Sequence, residues 1–390
     1  MQAQQPGIVR DAKSARRPDR ESEARRFRFL DGLRGWAAVV VLLHHIFIDG
    51  LPPNSLMADR ALWAKVFFLN GTLAVCIFFV ISGFSLSVRY LDTGDGRALA
   101  RLAAGRYVRL VLPIFAICAI TYALLVSGII PPAAQRPPPL DLFLTYTPTF
   151  QQLMSFSLFK VFVAYSNAET LDPPLWTMSY EFFGSFMVFA VIAGLRPHRW
   201  RTLALGALFI VLAACQTFFA LFFAGILIAD LFRKEVPSPA ANRTGAALCV
   251  AGLLLILLPT GWFGLVYVTG ATSLTAGAVF CAPVRRFFEN RLSRFLGWIS
   301  FPLYLVQAAV IYTLSVRGFD VVAALGFDPA MQRWIVGAVT LPIAILIAVA
   351  FCPINDFAVT LSRRFGAGLV AGCDEMSRRL ARRAHPQTLR

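Results

Sequence analysis

Apolar segments of roughly 16–23 residues, long enough to cross the hydrocarbon core of a bilayer, alternate with short polar segments along most of the chain. The ten apolar segments are residues 31–50, 66–88, 110–130, 175–195, 202–216, 217–232, 244–260, 262–284, 295–315 and 334–353. The fifth and sixth are short and are joined by a tight connection near Gln216. The pattern predicts an all-α integral membrane protein with about ten transmembrane helices.

Composition agrees with this class, and the charges indicate an orientation. The chain is 57% hydrophobic, with a mean hydropathy of +0.65 and a formal net charge of +16. In the ten-span arrangement, 30 of the 37 Lys and Arg residues lie on the side that holds both termini, and 6 lie on the other side. Cytoplasmic loops carry the excess of positive charge, so we expect both termini inside the cell. The basic residues cluster beside apolar segments, which indicates contact with the lipid bilayer and argues against nucleic-acid binding.

Three regions follow from the same pattern. We expect residues 1–28 to form a disordered, basic cytoplasmic arm, residues 29–355 a membrane domain, and residues 356–390 a basic cytoplasmic tail. Prolines in residues 131–174 favour turns, so this outer segment should be an irregular lid rather than another helix. The seven cysteines show no metal-ligand or disulfide spacing, and we expect buried thiols and no metal site.

Arg34 and His45 are ionisable residues inside the first apolar segment, where such side chains mark functional sites. On an α-helix they lie within about 20° of one another and about 16 Å apart along the axis. Imidazole accepts and returns protons near neutral pH, so His45 is the candidate general base. His44 points about 100° away and is expected to serve the packing. His44 and Asp49 diverge by about 140° on an α-helix, so we do not expect them to pair.

Glu181 and two arginines complete the candidate site. Glu181 lies about two turns inside the fourth apolar segment, where a carboxylate needs a cationic or hydrogen-bonding partner. We expect that partner to be His45, which Glu181 would orient as the third group of a triad does. Arg106 and Arg109 are three residues apart, share one helix face and suit a phosphate group. The alternative is that both arginines only anchor the helix at the lipid head groups.

Five blocks, in order, resemble the membrane acyltransferase 3 family, whose multi-pass enzymes O-acylate sugars and other hydroxylated acceptors. The blocks are FRFLDGLRGWAAVVVLLHH with its Arg-x10-His element, CIFFVISGFSLS with Ser82 and Gly83 at a turn, Arg106 and Arg109 before Pro113, PPLWTMSYEF with Glu181, and FLGWISFPLYLVQ with Ser300 and Tyr304. The resemblance extends from about Phe29 to Asn355, so it marks residues 29–355 as a membrane acyltransferase domain.

The resemblance implies that an acyl-coenzyme A, most simply acetyl-CoA, enters from the cytoplasm as co-substrate, with no bound cofactor. The acceptor would be a sugar hydroxyl of an extracytoplasmic polysaccharide, such as an exopolysaccharide or bacterial cellulose. The enzyme would lie in a bacterial inner membrane, with a polysaccharide synthase complex as a partner. The site residues that the resemblance implies are His45, Glu181 and Arg34 for catalysis, Arg106 and Arg109 for acyl-CoA, and Ser82, Trp176 and Tyr304 for substrate.

The chain departs from the family pattern at two positions. Pro113 lies four residues after Arg109, where many members have three, and Gln307 stands where a histidine is common, so we assign Gln307 no proton transfer.

Three other functions stay open. The chain could acylate a small lipophilic acceptor such as a macrolide or glycolipid, export an acylated product or polysaccharide with Arg34 and His45 as a proton relay, or be a structural subunit of a synthase complex.

Overall fold

Helices cover most of each apolar segment in the structure, a computed structural model that describes residues 27–49, 66–136, 140–195, 200–234, 238–258 and 261–384. The helices are α1 Arg28–His44, α2 Gly71–Thr93, α3 Gly96–Val126, α4 Phe150–Ser155, α5 Thr177–Gly194, α6 Arg201–Ala214, α7 Phe219–Lys234, α8 Pro239–Leu255, α9 Leu265–Phe280, α10 Ala282–Phe288, α11 Arg291–Val310, α12 Val316–Ala324 and α13 Pro329–Ala384. Within these ranges, six helical segments are long and apolar enough to cross a membrane, or seven if α9 and α10 form one bent span. The ten-helix topology and its orientation stay predictions. The predicted basic arm, except Phe27 and Arg28, lies outside the described residues.

Two helices are longer than the apolar pattern predicts. α3 begins at Gly96 rather than near residue 110, because the Asp95 side chain caps it by accepting from the Ala98 amide at 3.0 Å. α13 does not end near Asn355 but runs to Ala384. Residues 356–384 contain no proline and are rich in good helix formers, so charge alone does not end the helix there. Most of the predicted tail therefore continues α13.

The eighth apolar segment, residues 262–284, is broken rather than continuous. α9 ends at Phe280, α10 begins at Ala282, and the two axes differ by 93°. Pro283 lies in the first turn of α10. A proline lacks the amide hydrogen needed in a helix interior but is tolerated in a first turn, which explains why a new helix starts here.

The outer segment, residues 131–174, contains a helix where we expected only an irregular lid. α4 continues through a π-helical turn, Phe156–Lys160, and one last turn, Val161–Val163. Thr149 and Gln152 form a reciprocal capping box at its start. The prolines of the segment all lie outside this helix, so they leave it intact.

Glycines allow backbone contact between the helices that carry the site. A Cβ on Gly83 of α2 would lie 2.0 Å from the Phe222 carbonyl oxygen of α7. Ser82 and Gly83 therefore lie inside an unbroken helix and not at the turn that we expected. α1 and α11 approach as closely, since a Cβ on Gly35 would lie 2.4 Å from the Gly297 amide nitrogen. Small residues of this kind are typical of helix contacts in membranes, and they fix α1 and α2 within the bundle.

Candidate active site

Two cavities lie toward opposite ends of α1. The one that we call the histidine cavity has a volume of about 780 Å³, and the other, the arginine cavity, about 320 Å³. Residues that line the histidine cavity include His44, His45, Asp49, Trp176, Tyr180, Trp262, Gln307 and Tyr312. Residues that line the arginine cavity include Arg34, Ser82, Arg106, Arg109, Glu181, Ser300 and Tyr304. The structure thus divides the predicted site residues, with His45 and Trp176 in the first cavity and the other six in the second.

Glu181 is bound by two residues of the arginine cavity. Its Oε1 atom forms an ion pair with Arg106 and accepts a hydrogen bond of 2.9 Å from the Ser82 hydroxyl. The Arg106 and Glu181 side chains are 14% and 15% exposed, so the pair is largely withdrawn from solvent. The prediction that Glu181 pairs with His45 is wrong. Because α3 starts early, Arg106 lies well inside that helix and alongside α5, where it meets the carboxylate.

Arg109 and Arg34 bring two further guanidinium groups to this cavity. The Nη1 atom of Arg109 is buried and has no hydrogen-bond partner among the described residues. Arg34 pairs with Asp31 at 3.2 Å and donates to the Ser85 hydroxyl at 3.4 Å. Glu181 and Asp31 offset two of the three positive charges. The arginine cavity therefore keeps positive charge and an unused N–H donor, a combination that attracts anions.

Asp49, not Glu181, holds His45 in the histidine cavity. The Asp49 Oδ2 atom lies 2.9 Å from Nδ1 of His45 and 3.6 Å from Nε2 of His44. The expectation that His44 and Asp49 do not pair is therefore wrong. The angle of about 140° assumed an α-helix, whereas the chain follows α1 with a π-helical turn, His45–Asp49. Hydrogen bonds in such a turn join residues five apart, so Asp49 comes to lie over His44.

A thin layer of side chains separates the two cavities. Val75 lines both of them. The buried Tyr304 hydroxyl donates to the Pro174 carbonyl oxygen and lies 2.7 Å from the Thr177 hydroxyl. The buried Gln307, one turn further along α11, donates from Nε2 to the Tyr304 carbonyl oxygen at 3.0 Å. The start of α5 and the middle of α11 thus lie between the two cavities.

Sequence reasoning missed several residues of this arrangement. Asp49 was set aside on α-helical geometry, and nothing in the sequence distinguishes Thr177. Trp262 is far from Trp176 in the chain, yet their ring centroids lie 5.4 Å apart, and Tyr180 packs edge-on against Trp176 at 6.0 Å. Together these three rings form an aromatic wall of the histidine cavity. The sequence does not predict this wall, because its residues come together only in the folded chain.

The described residues include no cluster of three His, Cys, Asp or Glu side chains that suits a metal ion. The seven cysteines are free thiols. Cys215 and Cys373 are exposed, although we expected buried thiols.

Comparison with known proteins gives one match. A family model described as an acyltransferase domain matches residues 27–351, which include most of the lining of both cavities. No curated protein and no solved structure matches the chain.

Proposed function

The chain belongs to the membrane acyltransferase 3 family, and we propose that it transfers an acyl group, most simply acetyl, from acyl-coenzyme A to a sugar hydroxyl of an extracytoplasmic polysaccharide. The observation that carries the proposal is the pair of cavities. One is rich in guanidinium groups and the other contains an imidazole, and a single side chain, Val75, lines both. The first suits an anionic thioester and the second a hydroxylated acceptor.

The arginine cavity supports an acyl-CoA donor. Coenzyme A carries phosphate groups, and a guanidinium fork binds a phosphate better than a single point charge does. Arg106 is paired with Glu181 and keeps only its Nε donor unused, whereas the unpartnered Nη1 of Arg109 lies at the end of its guanidinium, where an anion can reach it. We propose that a phosphate lies at Arg109 and that the pantetheine arm points the thioester toward Tyr304. Arg34 then lines the path of the donor.

The histidine cavity supports a sugar acceptor. Trp176, Tyr180 and Trp262 offer flat apolar faces, against which the C–H face of a sugar ring packs. His45 lines the same cavity with 31% of its side chain exposed, so a hydroxyl of the bound ring can reach it. This combination of an apolar wall and one polar group fixes both the plane of the ring and the hydroxyl that reacts.

A thioester is already activated, so the reaction needs a base and a site for the oxyanion. His45 takes the proton of the acceptor hydroxyl as its oxygen attacks the thioester carbonyl. We place the oxyanion at the start of α5, near Thr177, because the N-terminal end of a helix is electropositive. The tetrahedral intermediate then expels the coenzyme A thiolate. Arg34 is about 16 Å from His45 along the axis of α1, so it holds the donor and does not contact the reacting carbonyl.

The test uses the purified full-length chain in lipid nanodiscs, which expose both faces of the protein to substrates. Labelled acetyl-CoA is supplied with an exopolysaccharide or with cellulose, and thiol release is followed together with label on the polymer. We expect the wild type to transfer label and His45→Ala to lose about 100-fold or more, since general bases contribute about 10²–10⁴-fold. His198→Ala alters a histidine outside the ten predicted spans and should transfer label normally.

Each other outcome points to a different conclusion. Normal transfer by His45→Ala would exclude His45 as the base. Thiol release with label on an added macrolide or glycolipid, and none on polymer, would indicate a small lipophilic acceptor. If the wild type releases no thiol, the proposal that acyl-CoA is the donor would be overturned. That result would favour an exporter in a bacterial inner membrane. Activity that appears only with a polysaccharide synthase complex would make that complex a required partner.

A further inference from the structure

We propose that Asp49 is the positioning residue of His45: its carboxylate holds the Nδ1–H of the imidazole and leaves Nε2 as the nitrogen that takes the acceptor proton. In the same role Asp49 stabilises the imidazolium that forms during transfer. The inference rests on the proposed function, because it assigns a partner to the base proposed there.

The π-helical turn that follows α1 is the first support for this role. Such turns are rare and are frequent at functional sites, because they change the direction of side chains within a helix. Here the turn lets one carboxylate oxygen approach two neighbouring imidazoles, at 2.9 Å from His45 and 3.6 Å from His44. An α-helix would bring Asp49 to His45 alone, since residues four apart share a face and residues five apart do not.

The hydrogen bonds of the two histidines assign them different roles. Nδ1 of His44 lies 2.7 Å from the Leu69 carbonyl oxygen, and a carbonyl only accepts, so this nitrogen carries a proton. The His44 ring also packs on Gly71, where a Cβ would lie 2.7 Å from its Cγ atom. His44 is thus fixed by the Leu69 carbonyl and by its packing on Gly71, and its Nε2 lies beside Asp49 at 3.6 Å without a hydrogen bond.

His45 differs because its contact with Asp49 leaves one ring nitrogen for the cavity. A carboxylate only accepts, so Nδ1 of His45 donates to Asp49 and Nε2 carries the lone pair of the neutral ring. This is the tautomer that a general base needs, and a hydrogen bond to the other nitrogen is what selects it. His45 rather than His44 is therefore the base.

The groups around the turn do not offer another base. Tyr165, Tyr180 and Tyr312 are the phenols that line the histidine cavity. From α13, Arg333 donates to the Phe47 carbonyl oxygen at 3.1 Å within the same turn. Phenol and guanidinium groups ordinarily keep their protons near neutral pH, so neither serves as the base there.

The proton balance of the step is closed without any further reactant. His45 Nε2 removes the hydroxyl proton while the acceptor oxygen bonds to the thioester carbon. The carbon–sulfur bond then breaks, and the imidazolium returns the proton to the thiolate, which leaves an ester and free coenzyme A thiol. Asp49 stays ionised throughout and acts by orientation and charge, as the carboxylate of a catalytic triad does.

The experiment compares Asp49→Asn with the wild type in full-length chains in nanodiscs. We expect kcat to fall about 100-fold or more, because the amide can present its NH₂ group to Nδ1 and select the wrong tautomer. The KM for acetyl-CoA should stay within about twofold, since the donor binds in the other cavity.

Two further variants keep the test decisive. Asp49→Glu retains the charge and should recover part of the lost kcat. Asp320→Asn changes an exposed carboxylate on α12 and should behave as the wild type. A normal kcat in Asp49→Asn, or a loss that Asp49→Glu does not relieve, would overturn the positioning role. If His45→Ala is also fully active, the proposed function has failed instead, so the two failures are distinguishable.

Discussion

Arg109→Ala tests whether the arginine cavity binds the phosphates of the donor. The guanidinium of Arg109 lies over the Phe301 ring, 5.0 Å from its centroid, so the side chain is already held in place. Its Nη1 atom has no hydrogen-bond partner among the described residues, whereas Arg106 is engaged by Glu181. Arg109 is therefore the arginine of the pair whose loss should weaken the donor complex most directly.

The expected magnitude follows from one charge-assisted hydrogen bond. Such a bond contributes about 1.5–3 kcal/mol, which corresponds to an increase of about 10- to 150-fold in the KM for acetyl-CoA. Arg109→Ala affects the binding of the donor rather than the acyl-transfer step, so kcat should change much less than KM. Arg109→Lys should give an intermediate KM, because an ammonium keeps the charge but not the planar fork.

The assay compares acetyl-CoA with acetyl-pantetheine, a thioester donor that lacks the phosphates. The wild type should prefer acetyl-CoA, and Arg109→Ala should lose most of that preference while its KM for acetyl-pantetheine stays unchanged. Arg101→Ala removes an exposed arginine two turns earlier on α3 and serves as the matched control. If the KM rises equally for both donors, or for neither, Arg109 does not bind phosphate and the reasoning is refuted.

Two predictions concern stability. Gly83→Ala should destabilise the bundle by about 1–3 kcal/mol, because the added methyl would lie 2.0 Å from the Phe222 carbonyl oxygen, and a thermal-unfolding scan measures the loss. Gly206→Ala meets nothing within 4 Å and is the control; equal midpoints for the two variants would contradict the packing argument. Burial raises the pKa of Asp172, just before α5, well above its usual range. The stabilisation is complete below the pKa of the unfolded carboxyl, about 3.9, and is lost as pH rises toward the folded pKa. Asp172→Asn should remove that loss, so its thermal midpoint should exceed that of the wild type increasingly as pH rises; a constant difference would refute this.

The positions of the apolar helices could be predicted from sequence, but several of their ends could not. Hydropathy reports only the stretch that suits lipid, so it placed the start of α3 near residue 110, although Asp95 caps the helix much earlier. It also placed the end of α13 near Asn355, although polar helix formers continue it to Ala384. The break before Pro283 and the capping box at Thr149 could have been predicted from the sequence. A proline favours the start of a new helix, and a T-x-x-Q pattern favours a capped helix N-terminus.

The sequence indicated which side chains line the candidate site better than it indicated their hydrogen-bond and ion-pair partners. Glu181 needed a cation, but only the packing of α3 against α5 decides that the cation is Arg106 rather than His45. The pairing of Asp49 with His44 was rejected because an α-helix rotates by about 100° per residue. A single π-helical turn has a different rotation, so that angle does not apply here. Contacts between helices and local changes of helix type are properties of the fold, and short spacing rules do not contain them.

The layer at Tyr304, Thr177 and Val75 also bears on the membrane as an electrical insulator. The two cavities share the lining residue Val75, so in a membrane these few residues would stand between them against the flow of ions. A passage wide enough for an acyl thioester would also admit water, and a water-filled passage conducts protons. On the proposed function, the membrane potential would be preserved only if the donor already fills the passage when it opens. On that function, binding the donor before the layer opens would limit the leakage of protons as well as serve catalysis.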